Sequence, residues 1–147
     1  LTNENVRASN QYMANILDES EIIACGLMNL LFESLKTHQL KILFYKHDGM
    51  YYAEAIDIGQ TGTGRSFEEA SEDLKEIVVW YSNNYFSSPS FQFKSKSSPG
   101  YFFTKFNEFM LNHPSSIAYK DYVKQDAFQL PDMTQRMKEQ TIDLVMS

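Results

Sequence analysis

A single cysteine, Cys25, rules out an internal disulfide and any metal cage built from cysteines. It lies in the apolar run Ile22-Ile23-Ala24-Cys25-Gly26-Leu27, where a thiol serves as a small hydrophobe, and a reducing compartment suits it. Basic residues are scarce too: 13 Lys and Arg stand against 19 Asp and Glu, a net charge of −6. Direct binding of nucleic acid needs clustered cations to neutralise phosphates, so that class is set aside. No apolar stretch approaches the ~20 residues that cross a bilayer. The polar start Leu1-Thr-Asn-Glu-Asn-Val-Arg carries no signal-peptide pattern. We therefore expect a soluble, cytoplasmic protein without a membrane partner. His38, His47 and His113 are scattered, with no short ligand spacing, so neither a metal nor a cofactor is expected. No fixed-period repeat is present.

What is abundant is aromatic and acidic. Eleven Phe and nine Tyr are more than a surface needs, and any left exposed become candidate partner contacts. The charge is uneven: residues 1–86 hold six Lys and Arg against thirteen Asp and Glu, a net −7, while residues 87–147 come to +1. An acidic surface of this kind suits a basic protein partner.

Along the chain, Tyr12, Ile16, Ile23, Leu27, Leu30, Leu31 and Leu35 recur at helical spacing and predict an N-terminal helix over 10–38. Residues 40–47 read as a strand, Asp48-Gly49 as a tight hairpin turn, and 50–58 as the antiparallel return strand. A third strand over 60–65 is weakened by Gly62 and Gly64. Ser66-Phe67-Glu68-Glu69 is a capping box opening a helix whose apolar stripe is Phe67, Ala70, Leu74, Ile77, Val78 and Tyr81. Residues 87–100 hold six serines, two prolines and a glycine, the composition of a linker, with a short strand at Phe91–Lys94. Helices are expected over 101–112, 116–128 and 132–146, the last on the spacing of Met133, Met137, Ile142 and Val145.

Gly59-Gln-Thr-Gly-Thr-Gly64-Arg65-Ser66 fits the phosphate-loop pattern except that Arg65 replaces its lysine. That lysine reaches the phosphates as a compact charge, which a planar guanidinium does not reproduce. The preceding strand, Tyr51-Tyr-Ala-Glu-Ala-Ile-Asp57, is too polar for a parallel strand buried on both faces. No aliphatic strand ending in a magnesium-binding Asp follows it. A nucleotide-binding protein using residues 59–66 stands as the alternative to a binding protein.

The same stretch carries a resemblance. Tyr51-Tyr52-Ala53-Glu54-Ala55-Ile56-Asp57-Ile58, followed by Gly64-Arg65-Ser66-Phe67-Glu68-Glu69-Ala70 and then Leu74, resembles the HicB-type antitoxin family over about residues 40–82. Arg65 stands where the family has an acidic residue, Ser66 where it has Thr, and Gly59-Gln60 where a proline-glycine pair is common. The resemblance implies a three-stranded antiparallel sheet with a helix on one face. It also implies a non-catalytic role, binding and blocking a HicA-type messenger-RNA nuclease. Taken with the periodicities, the expected architecture is α+β: an N-terminal helical segment (1–39), a HicB-like module (40–86), a linker (87–100) and a helical C-terminal extension (101–147). The expected function is that of an antitoxin-like or inhibitor-like factor that binds a partner protein, a basic nuclease or another nucleic-acid-binding protein, and self-associates as an oligomer. An acidic mimic of nucleic acid is a further alternative. Candidate contacts are Glu68, Glu69, Glu72, Asp73 and Glu76 on the helix, with Tyr101, Phe102 and Phe103 as an aromatic surface. No catalytic residue is assigned.

Overall fold

The computed structural model describes residues 17, 20–32, 37–87, 97–113 and 137–146. Five strands, β1 (Glu21–Phe32), β2 (Thr37–His47), β3 (Met50–Ala55), β4 (Gln60–Gly64) and β5 (Met137–Met146), form one antiparallel sheet in the order β4-β3-β2-β1-β5. Among the described residues, helices α1 (Phe67–Ser87) and α2 (Gly100–Leu111) pack on opposite faces of it. The expected three-stranded sheet between flanking helices is therefore corrected. β2, β3, β4 and α1 run in the expected order, but as one end of a sheet that β1 and β5 extend.

The correction has a physical cause. Residues 22–31 are almost continuously apolar, so any period can be picked out of them, the helical one included. A strand buried on both faces has this composition. Ala24, Met28 and Leu30 turn to the α1 face, and Cys25 and Leu27 to the α2 face. Gly26 allows β5 to come close: a Cβ there would lie 3.1 Å from Ile142 Cγ2 and 3.2 Å from the Asp143 carbonyl oxygen. The expected helix over 132–146 is likewise β5 from Met137 onward, where Ile142, Asp143 and Leu144 alternate with period two. Tyr12, Ile16, the helix over 116–128 and the strand at Phe91–Lys94 lie outside the described residues.

The hairpin forms as expected. Asp48 and Gly49 adopt positive φ of 50° and 77°, the backbone a two-residue turn needs, and His47 pairs with Met50. The α2 helix begins at Gly100, close to the expected start. On the α1 face, Leu40, Ile42 and Phe44 meet Ala70, Leu74, Val78 and Tyr81 above Ala53 and Ala55. On the α2 face, Leu43, Tyr45 and Ile56 meet Phe102, Phe106 and Met110.

Candidate functional site

The glycine-rich loop is accounted for by packing. A Cβ on Gly62 would lie 2.4 Å from Leu74 N and 2.6 Å from the Ala70 carbonyl oxygen, and one on Gly64 would lie 2.4 Å from Glu69 Cβ. Contacts below 3 Å against backbone cannot be relieved, so these glycines set how closely α1 lies on β4. Ser66 Oγ accepts the Glu69 amide at 3.1 Å, the cap read from the sequence. Glu69 reaches back one residue further than the usual box, its Oε2 accepting the Arg65 amide at 2.7 Å. Asp73 Oδ2 accepts the Thr63 amide at 2.8 Å. Two loop amides are thus occupied by the protein's own carboxylates. The strands before the helix run antiparallel, unlike the parallel sheet a phosphate loop serves.

Among the described residues Glu54 is the buried carboxylate, 5% exposed on the α2 face of β3. Thr61 Oγ1 donates to its Oε1, and Ser98 Oγ donates to Oε2 at 2.5 Å. The Ser98 amide also donates to the Ile56 carbonyl at 2.7 Å. Burial pushes the Glu54 carboxyl above its ordinary range, while the two hydroxyls pull it down. The Tyr101 hydroxyl is raised by burial and then by the Glu54 charge. Both carboxylate oxygens are engaged, so Glu54 fastens the entry of α2 to the sheet. Asp57 does similar work at the end of β3, its Oδ2 accepting the Lys41 amide at 2.7 Å, and burial raises its carboxyl too. Burial also pushes up the Cys25 thiol, which sits 3.9 Å from the Phe106 carbonyl oxygen as a core hydrophobe.

The open surface lies between α1 and β5. Five strands at about 4.8 Å spacing make a sheet about 19 Å wide, whereas one helix is about 10 Å across. α1 rests on β3 and β4, and towards β5 a groove remains. One part, about 240 Å³, is lined by Phe67, Ser71 and Lys75 of α1 and by Ile142 and Leu144 of β5, with Glu68 and Glu72 at its rim. A second part of about 530 Å³ shares Glu72 and Lys75 with it and adds Glu76, Val79, Trp80 and Gln140. Glu68, Glu72 and Glu76 are exposed and follow one another at four-residue spacing, in a row that ends at Trp80. Lys75 is the cation among them, 3.2 Å from Glu72. Trp80 is 52% exposed, and Val79, Leu144 and Met146 are exposed with it. Exposed apolar side chains thus stand beside a row of carboxylates.

The expected contacts divide accordingly. Glu68, Glu72 and Glu76 stand together on the groove. Glu69 and Asp73 are tied to the amides of residues 65 and 63. Phe102 is corrected from surface to core, 2% exposed beneath α2, and Tyr101 and Phe103 pack half-buried against the same core. Val79, Trp80, Ile142 and Leu144 were not among the contacts read from the sequence, where Ile142 served only as an apolar position of the expected last helix. The signal for the first two was there: Val79 and Trp80 are apolar yet fall off the stripe that α1 buries. The described residues contain no group of three or more His, Cys, Asp or Glu that could hold a metal ion. No helix among them is long and apolar enough to cross a membrane. Comparisons with protein-family models, curated proteins and solved structures give no match.

Proposed function

We propose that this chain is a non-catalytic binding protein, inhibitor-like in action, that holds a basic protein through the groove between α1 and β5. The observation that carries this reading is the exposed row Glu68, Glu72, Glu76 and Trp80 beside apolar Val79 and Leu144. Exposed carboxylates steer a cationic partner, and the apolar side chains hold it once docked. Occupying a basic surface of a nucleic-acid-processing protein would block that surface, in keeping with the resemblance of residues 40–82 to an antitoxin family. The test uses the chain as bait in extract from its native host. A basic protein should be retained in low salt and released as salt rises, because exposed charges are screened beyond a Debye length of ~8 Å at physiological ionic strength. A Glu72→Lys, Glu76→Lys bait should retain at least about tenfold less, because two attractions become repulsions. Equal retention by both baits, or retention indifferent to salt, contradicts the reading.

A further inference from the structure

The two edges of the sheet are unlike. At β4 the edge is five residues long and carries two glycines, and its Thr63 amide is taken by Asp73. Such devices keep an edge from pairing with another chain. β5 is ten residues long, and among the described residues it pairs with β1 alone. Its two faces differ in chemistry. Ile142, Leu144 and Met146 form a row on the α1 face, with Leu144 43% and Met146 50% exposed. Glu139, Thr141 and Asp143 form the opposite row, all exposed, with Asp143 Oδ2 accepting from Asn29 Nδ2 at 3.0 Å. On the α1 side β5 is thus apolar from Ile142 to Met146, with Gln140 before them; the other side carries Glu139 and Asp143 and ends at Val145, which is buried in the α2 core, and among the described residues no second strand pairs with the outer edge.

We infer that the partner docks as an extended strand added to β5, with apolar residues alternating with Lys or Arg. This inference rests on the binding role proposed above and names the form of the partner segment. A strand laid beside β5 at about 4.8 Å places its side chains directly across from those of β5, face by face. Apolar residues then meet Ile142, Leu144 and Met146 and close the groove beneath Glu68 and Glu72. Basic residues meet Glu139 and Asp143. A helix in the groove would leave the outer backbone of β5 unused and would not reach Glu139 and Asp143 on the far face. A second copy of β5 is disfavoured: antiparallel pairing centred on Thr141 sets Glu139 against Asp143, and each chain brings a net charge of −6.

Two synthetic peptides test this on the intact chain: five Lys-Val repeats, and the same ten residues ordered as five Lys followed by five Val. Binding is read from the emission of Trp80, the chain's single tryptophan, and from hydrogen exchange of the β5 amides. The alternating peptide should bind and slow exchange along residues 137–146 by about tenfold or more at saturation, because strand pairing buries outward amides. The block-ordered peptide should leave that exchange unchanged. A Glu139→Lys, Asp143→Lys variant should bind the alternating peptide about tenfold more weakly, as two cross-strand attractions reverse. Equal binding of both peptides with unchanged β5 exchange overturns strand addition while leaving basic-partner binding in place. Failure of both peptides to bind overturns both readings. A dimer by sedimentation, with β5 already protected in the absence of peptide, overturns strand addition in favour of self-pairing.

Discussion

Glu54 shows how one residue can be chemically conspicuous and structurally employed. A carboxyl buried between Thr61 and Ser98 has the perturbed protonation that marks many active sites, yet both its oxygens are spent in fastening α2 to the sheet. Its effect on stability has a definite sign. Because the folded carboxyl holds its proton more tightly than the unfolded one, the native state binds more protons in the window above the ordinary glutamate value. Stability is then greatest below that value and declines as pH rises through the folded pKa. Asp57, raised by burial as well, adds a decline of the same sign. Urea midpoints measured from pH 4 to pH 8 should therefore fall towards neutrality in the native chain. Glu54→Gln, which keeps an acceptor and removes the ionisation, should flatten that decline and leave only the part due to Asp57. An unchanged slope in the variant would show that Glu54 is not the group responsible. Glu54→Ala should cost about 2–3 kcal/mol at the acid end of this range and less as pH rises, since it leaves the buried Ser98 hydroxyl and the partly buried Thr61 hydroxyl without their acceptor and opens a void.

Helix α1 and the strands beneath it illustrate what sequence patterns can and cannot reveal. The Asp48-Gly49 turn, the Ser66 cap and the apolar stripe from Phe67 to Tyr81 were legible because each depends on neighbours within a few residues. β1 and β5 were not legible. Their identity depends on partners far along the chain: Ala24 opposite Met146, Met28 opposite Ile142. β1, covered on both faces, loses the alternation that would give it away, and β5 keeps it only over the short run Ile142 to Leu144. Half of the candidate site could be read for the same reason: the carboxylate row lies on one local helix, but the β5 wall exists only once the sheet is assembled. The glycines of β4 give this account a direct check. Gly62→Ala drives a methyl into the backbone of α1 at Leu74 and should cost about 3 kcal/mol or more, the upper end of overpacking, because backbone cannot yield. Gly49→Ala meets nothing within 4 Å and bears only the penalty of positive φ, about 1–2 kcal/mol. Thermal denaturation of the two variants should rank Gly62→Ala as the less stable, and the reverse order would mean that α1 does not rest on β4 as closely as described.

At the scale of the molecule, the described residues form a five-stranded sheet with one edge closed by Glu69 and Asp73 and the other, among those residues, unpaired beside a carboxylate-rimmed groove. Charge and shape point the same way, since the acidic residues not committed to holding α1 on β4 include those that line this groove. The most direct measurement places a photo-reactive benzoylphenylalanine at Val79, in the groove, or at Thr104, exposed on α2, and irradiates cells of the native host. The account predicts a covalent adduct with one basic protein from position 79, lost when Glu72→Lys and Glu76→Lys are added, and none from position 104. Adducts of equal yield from both positions, or an adduct from position 79 that survives the charge reversal, would contradict it.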